Sequence, residues 1–422
     1  MNLLPAKKNY LGIDLGTSAI KIVELQNKGG RAILVTYGYV EQPTDIVKSS
    51  SLEMEERIAH ILKSICSKSR TSTKKVIAAL PSFAVFTSVI NLPAMKKKDL
   101  GQAIQWEAKK FVPLPIEDMI LDWKVIKPPA SKDYVKDHLD KFNEARKNTD
   151  TQMESGKSKQ LSGKKDEDNL DGDKAEQVDN SGDSESKPNF LSQLLKKNEG
   201  KKGEKDEENQ EKNLQILLTA APKTLVERYL RIFKNAQLEI ISLETEAFAL
   251  ERSLVGGDSA SVMIIDIGSI SSDITVINNG IPILNRSIDV GGATITNALM
   301  SSLNVDIARA EQFKRDIGFS SLGEEDLPEI IKDAINPIIN EVKYCIDIYL
   351  SQIDKGDIEK IILTGGSAWL PELPKYLSKL LDIEVIIGNP WDKIVYPMDL
   401  KPVLNELGPR FSVAVGLAMR GL

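Results

Sequence analysis

Two aspartates stand at matching places in the chain, each closing an apolar run and each followed by glycine and hydroxyl residues. The first is Asp14, in Leu11-Gly12-Ile13-Asp14-Leu15-Gly16-Thr17-Ser18, ahead of a second apolar run from Ala19 to Leu25. The second is Asp266, in Val262-Met263-Ile264-Ile265-Asp266-Ile267-Gly268-Ser269-Ile270-Ser271-Ser272-Asp273, ahead of Ile274 to Ile277. Each reads as a strand, a tight turn and a returning strand. Such a turn offers backbone N–H groups and hydroxyls to a phosphate, and a carboxylate such as Asp14 at the strand end suits a hydrated Mg²⁺. One hairpin of this kind is commonplace. Two, about half a chain apart, imply two like domains closing on one nucleotide.

The elements that must hold these hairpins can be read along the chain. A third strand is expected at Ala32–Tyr37, a helix from Ser51 to about Ser67 with Ile58, Ile61, Leu62 and Ile65 on one face, and a strand at Val76–Leu80. Phe83–Leu92 alternates as an open-faced strand ended by Pro93. Leu100, Ala103, Ile104, Ala108 and Phe111 form a helix face that is apolar except for Glu107, with Pro113 and Pro115 beyond it, and Met119–Ile126 returns as a strand. This block reads as a small β-α-β module. Residues 151–213 hold 28 Asp, Glu, Lys or Arg, 12 positive and 16 negative, against 7 Leu, Ile, Val or Phe. So few apolar groups do not offset an ordering cost of roughly 1–2 kcal/mol per residue, so the span of about 130–213 is expected to be a disordered, solvated insertion. Within it, Pro188–Leu195 gathers its apolar groups on one helical turn. A strand at Leu214–Ala221, a helix begun by Pro222 with Leu225, Val226, Tyr229, Leu230 and Phe233 inward, and a helical segment Glu244–Leu254 lead to the second hairpin. Beyond it come the glycine pair Gly291-Gly292 ahead of a helix, a mostly helical stretch 303–355, and the buried strand Ile361–Thr364 entering the turn Gly365-Gly366-Ser367.

Composition narrows the chemistry. The chain has 422 residues and a net charge of −6, which suits more than one domain and disfavours non-specific nucleic-acid binding. Cys66 and Cys345 show no metal or disulfide spacing, and the only histidines, His60 and His138, read as surface residues, which argues against zinc or a His-dependent triad. No apolar run approaches the roughly 20 residues of a membrane span, and the expectation is a soluble intracellular protein.

The order strand-Asp-Gly-Thr, strand-Asp-Gly-Ser, strand-Thr-Gly-Gly-Ser resembles the actin/sugar-kinase/heat-shock ATPases. That resemblance implies an α/β, actin-like (ribonuclease H-like) two-domain ATPase fold. It implies that Asp14 and Asp266 hold Mg²⁺ through water, and that Gly16, Thr17, Ser18, Gly268 and Ser269 contact the phosphates. Lys21, Ser271, Gly291 and Gly292 fall in the same cofactor-binding set. Gly365, Gly366 and Ser367 would let adenosine approach the backbone, with Glu311 and Lys314 against the ribose and base unless they are simply an i, i+3 surface pair. For hydrolysis a group must orient water. Asp266, Asp273 and Ser271 are the candidates, none is assigned as a general base, and tight Mg-ATP binding with slow turnover is expected.

Within that superfamily the chain resembles the PilM family of type IV pilus assembly proteins, related to the cell-division protein FtsA. The likeness rests on Asn9–Asp14 with Ile20–Leu25, on Leu92-Pro93-Ala94-Met95 before Glu107–Pro113, on Leu121-Asp122-Trp123, on Ala220-Ala221-Pro222-Lys223, and on Val415–Arg420. It implies first-domain segments at 9–82 and 241–260, a β-α-β module at 83–240 interrupted by the charged insertion, a second domain at 261–407, and a C-terminal helix at 408–422 returning to the first. It also implies an adaptor at the inner face of the cytoplasmic membrane that binds ATP and grips the N-terminal cytoplasmic peptide of a PilN-type inner-membrane protein, with no membrane insertion of its own and possible self-association. That peptide typically carries Ile-Asn-Leu-Leu-Pro, and Asn2-Leu3-Leu4-Pro5 opens this chain. Either the match is coincidence, or the leader occupies the peptide groove of its own or a neighbouring molecule. The competing classes are an FtsA-like filament protein, which suits less well a chain lacking an amphipathic helix beyond Arg420, and a small-molecule phosphotransferase.

Overall fold

A computed structural model describes residues 8–41, 51–112, 114–127, 213–320, 326–352 and 357–422. The expected disordered insertion, its Pro188–Leu195 turn, the Asn2–Pro5 leader and Pro113 lie outside the described residues, although Asn213 already opens a strand.

In chain order the elements are β1 (Asn9–Leu15), β2 (Ala19–Lys28), β3 (Arg31–Glu41), α1 (Leu52–Lys68), β4 (Lys75–Leu80), β5 (Phe86–Pro93), α2 (Lys97–Ala108), β6 (Met119–Lys127), β7 (Asn213–Pro222), α3 (Lys223–Asn235), β8 (Glu239–Thr245) and α4 (Glu246–Leu250). The second half follows with β9 (Val262–Ile267), β10 (Ser272–Asn278), β11 (Ile281–Ile288), α5 (Gly292–Leu303), α6 (Ile307–Asp316), α7 (Asp326–Gln352), β12 (Lys360–Thr364), α8 (Leu373–Leu381), β13 (Glu384–Ile387), β14 (Ile394–Val395), α9 (Lys401–Leu407) and α10 (Ser412–Met419).

One sheet runs β14-β3-β2-β1-β4-β8 and another β11-β10-β9-β12-β13, with β5-β7-β6 as a separate three-stranded sheet. The first two repeat a pattern. In each, an antiparallel meander of three strands (β1–β3, β9–β11) continues through its first strand into two parallel partners, β4 and β8 or β12 and β13. β1 and β9 are central in their sheets, which is why Leu11, Ile13, Val262, Ile264 and Ile265 are wholly buried and the strands read as nearly continuous apolar runs.

The helices follow their sequence cues. Ser51 caps α1 by accepting from the N–H of Met54, and Ile58, Leu62 and Ile65 turn inward at helical spacing. On the same core lie Tyr229, Ile232 and Phe233 of α3, and β8 adds to the first sheet beside β4. Sequence alone places residues 223–240 in the inserted module and starts a helix at Glu244. The structure instead returns the chain to the first core at Lys223 and runs a strand through Thr245, because α3 covers α1 and β4 leaves an edge that β8 pairs. α10 is buried along nearly its whole length, against β1 on one side and α4 on another. Gly12 and Gly416 allow this: a Cβ on Gly12 would meet the backbone of Ala414 and Ala418, and one on Gly416 would meet Ala249. Val413 and Leu417 share a cluster with Ile77 and Ala79 of β4 and with Ile264 and Ile362 of the second sheet, so α10 and α4 form the layer joining the two sheets. Among the described residues, no helix is long and apolar enough to cross a membrane.

Candidate nucleotide site

A cavity of about 690 Å³ opens where the β1–β2 and β9–β10 turns converge. The first turn is set by the register Asp14↔Lys21 and Leu15↔Ile20, which leaves Gly16, Thr17, Ser18 and Ala19 to close the hairpin. Lys21 Nζ lies 2.8 Å from Asp14 Oδ2. Burial alone would lower the Lys21 pKa, but Asp14, and after it Asp266 and Glu246, hold the ammonium above its usual value.

The second turn has the same layout with Asp266↔Asp273 as the cross-strand pair, and the N–H of Gly268 donates to Ser271 O at 3.0 Å. Here acid faces acid. Burial, then Asp273, pushes Asp266 up to about 7, with Lys21 offsetting part of the shift. Burial raises Asp273 to about 6, offset in part by the Ser287 hydroxyl beside it, although neither Asp273 Oδ1 nor Ser287 Oγ reaches hydrogen-bond geometry with a partner among the described residues.

This second hairpin is braced from two sides. Gly292 N–H donates to Gly268 O at 2.9 Å and Ala293 N–H to Ser269 O at 2.7 Å, anchoring the start of α5 to the turn. From the other side Gly365 has φ +87°, and a Cβ there would collide with the Asp266 carboxylate and meet Ile267 O at 2.5 Å. The N–H of Ser367 donates to Ile267 O at 3.2 Å. On the facing wall, Lys314 Nζ donates to Glu311 Oε1 at 2.6 Å, to Thr296 Oγ1 at 2.8 Å and to Gly292 O at 3.2 Å. Glu311 is raised by burial, but the bonds from Lys314 and Thr296 bring its pKa below the ordinary value. Lys314 is 9% exposed, so the pair is part of the cavity wall rather than a solvated i, i+3 bridge.

The cavity thus gathers Asp14, Gly16, Thr17, Ser18, Lys21, Asp266, Gly268, Ser269, Ser271, Asp273, Gly292, Glu311, Lys314, Gly365, Gly366 and Ser367. Gly291 stands apart. It lies behind the turn, where a Cβ would meet Ser269 O at 2.6 Å and Gly268 O at 2.8 Å, so it shapes the hairpin without lining the cavity. Sequence reasoning missed Glu246, Thr296 and Arg410, which also line it. Glu246 follows the carboxyl end of the parallel strand β8, the usual place for ligand-facing groups in such sheets. That signal was hidden because β8 itself was not recognised. Burial, then Asp273 and Asp14, holds Glu246 well above its usual pKa, partly offset by bonds from Ser82.

The arrangement supplies two hydroxyl-bearing turns, a lysine, and carboxylates whose charge asks for a cation. Two copies of one sheet pattern presenting paired hairpins to one cleft define the actin-like ATPase fold. The chain belongs to the type IV pilus assembly protein PilM family, whose model matches residues 12–151 and 203–422. Among solved structures, a PilM-PilN type IV pilus biogenesis complex matches 98% of this chain and 98% of its own with a TM-score of 0.69 at 23% identity. The ethanolamine utilization protein EutJ from Carboxydothermus hydrogenoformans matches 99% of this chain and 91% of its own, with a TM-score of 0.50 and 14% identity. Both show the fold. Curated relatives include the cell division protein FtsA of Bacillus subtilis (strain 168), 25% identical over 194 residues, 41% of this chain and 44% of that protein. FtsA of Neisseria meningitidis serogroup B (strain ATCC BAA-335 / MC58) is 28% identical over 178 residues, 37% of this chain and 41% of that protein. The chain spans less than half the length of these curated relatives.

Proposed function

We propose that this protein binds Mg-ATP in the cleft and acts as an actin-like adaptor of type IV pilus assembly, gripping the cytoplasmic N-terminal peptide of a PilN-type inner-membrane protein. The observation that carries the nucleotide reading is the convergence of both hairpins on one cavity. Gly16, Thr17 and Ser18 on one side, and Gly268, Ser269 and Ser271 on the other, surround the phosphates, with Lys21 between the turns. Gly365, Gly366 and Ser367 border the adenosine side, and Glu311 and Lys314 take the ribose and base.

The residues fit a magnesium ion held indirectly. Among the described residues no three His, Cys, Asp or Glu side chains form a metal cage, whereas Mg²⁺ keeps several waters and needs only one or two carboxylates besides phosphate oxygens. Asp14 and Asp266 are those carboxylates. When bound, the ion neutralises phosphate charge, which would otherwise face four acids. Asp266 and Asp273, with Glu246 beside them, are the groups that orient water for hydrolysis, and turnover is slow because none is held as a base against a defined nucleophile.

Family membership, and the solved PilM-PilN complex that shares this fold over nearly the whole chain, support the partner. The protein then sits at the inner face of the cytoplasmic membrane through that partner. Titration of a peptide carrying Asn-Leu-Leu-Pro, with and without Mg-ATP, tests this reading. Micromolar or tighter binding that shifts with nucleotide supports it. Absence of binding, both in the full chain and in one beginning at Asn9, overturns the partner assignment and leaves the nucleotide site to be judged by ATP titration alone.

A further inference from the structure

The chain leaves the first sheet at the end of β4, turns through Pro81 and a single helical turn at Ser82–Ala84, and enters β5 of the β-α-β module. Ser82 is the joint. It is 6% exposed, and both of its donors go to one atom: its N–H lies 2.9 Å and its Oγ 2.8 Å from Oε2 of Glu246. Glu246 is a cavity-lining carboxylate, and Pro81 and Phe83, on either side of Ser82, line the cavity as well while Ser82 does not. The same turn packs against β11 of the second sheet. One short segment therefore touches the cleft's acid cluster, the far sheet and the start of the module.

A carboxylate oxygen that accepts two donors from one residue is held in both position and direction, and loss of a bond to a charged group is worth more than loss of a neutral one. Among the described residues Glu246 has no other hydrogen-bond partner, and Asp273 and Asp14 crowd it with like charge while Lys21 acts on it from the first hairpin. A cation or water shell brought in with the phosphates competes directly with Ser82 for that oxygen.

We propose that Ser82 is a positioning residue that couples the cleft to the β-α-β module: its two hydrogen bonds aim Glu246 while the cleft is free of ligand, and nucleotide binding draws Glu246 off Ser82 and loosens the joint. The proposal rests on the reading that the cleft takes Mg-ATP. It gives the protein a route by which nucleotide state reaches a surface remote from the phosphates.

The test compares the full chain with Ser82→Ala, Ser82→Thr and Glu246→Ala by amide hydrogen exchange over residues 82–108, with and without Mg-ATP, alongside nucleotide titration. In the parent chain, Mg-ATP is expected to speed exchange at the joint and the start of β5. Ser82→Ala, which loses the Oγ bond and keeps the backbone N–H one, is expected to exchange faster there without nucleotide, to gain less from Mg-ATP than the parent chain, and to keep nucleotide affinity within about fivefold. Ser82→Thr, which keeps both donors, restores the response. Glu246→Ala, which leaves the joint's own residues intact and removes both bonds, gives fast exchange that no longer responds to Mg-ATP and guards against misfolding of the serine variant. If Ser82→Ala binds Mg-ATP and responds as the parent chain does, or if threonine restores nothing, the coupling is wrong while the nucleotide site stands. If the parent chain binds no Mg-ATP, the nucleotide reading falls and this inference with it.

Discussion

The β1–β2 and β9–β10 hairpins share a backbone plan but not an electrostatic one. In both, an aspartate ends the central strand, a glycine and hydroxyls make the turn, and a polar residue on the returning strand faces the aspartate. In the first hairpin that residue is Lys21, bonded to Asp14; in the second it is Asp273, facing Asp266. The first hairpin is neutral within itself. The second gathers acid, raises the pKa of both partners, and is completed by something from outside, a proton or a cation. The bracing differs in the same sense, since Gly292 and Gly365 clamp the second turn, while among the described residues no backbone hydrogen bond from another element closes on the first. The two hairpins thus share a geometry and differ in charge: one pairs its aspartate with a lysine, the other sets aspartate against aspartate.

The largest effect is expected from Gly365→Ala. A side chain at φ +87° that also collides with Asp266 should cost about 3 kcal/mol or more of stability, read by urea unfolding, and should abolish nucleotide binding. Gly16→Ala, whose Cβ would meet Ala19 O at 2.8 Å and the mobile end of Lys21 at 3.3 Å, should cost roughly 1–2 kcal/mol. Equal losses at the two positions would remove the asymmetry in bracing.

Next comes Lys21→Ala. It removes the ammonium paired with Asp14 at the cavity and should weaken Mg-ATP binding by about 10- to 100-fold in calorimetric titration, the range for a charge-assisted hydrogen bond. Affinity within twofold of the parent would show that the first hairpin does not carry the positive charge.

A pH series without nucleotide sharpens the contrast. Asp266 and Asp273 have folded pKa values of about 7 and about 6, above the ordinary 3.8. The native state therefore binds more protons than the unfolded chain between about pH 4 and 7, and stability falls as pH rises through that window. Lys21, raised above 10.5, contributes stability that is fully present at those pH values and is lost only in strong alkali. Asp273→Asn should flatten the fall from pH 5 to pH 7.5 and gain about 1–2 kcal/mol at the upper end, measured by thermal unfolding. An unchanged slope would mean that the acid pair does not dominate it.

The smallest effect is expected at the facing wall. Glu311→Gln keeps one acceptor for Lys314 and Thr296 and should lower nucleotide affinity about two- to tenfold. A loss as large as that of Lys21→Ala would shift the weight of binding from the hairpins to α6.

Much of this site could be read from residue order. Asp14-x-Gly16-Thr17 and Asp266-x-Gly268-Ser269 are local patterns whose turns form wherever strand residues flank them, and Gly365-Gly366-Ser367 announces a turn after a buried strand. Glu246 and Ser82 could not be read this way. Glu246 matters because β8 pairs with β4, and Glu239–Thr245 is a short edge strand, mostly half-buried, whose alternation is too weak to declare itself without its partner. Ser82 matters because it meets a residue far along the chain. Likewise, the apolar face of α3 was evident, but not that it would cover α1.

What the sequence determined by itself is the local part: which strongly apolar runs are strands, and where turns rich in glycine and hydroxyls follow them. These follow from near neighbours, through periodicity and turn chemistry. Only the tertiary structure decided the charge balance of the cleft, because a carboxylate's pKa depends on burial and on residues that the fold brings beside it. Asp266 and Asp14 carry the same side chain at the end of the same kind of strand, and their different partners, an aspartate and a lysine, give the two halves of the site their different parts.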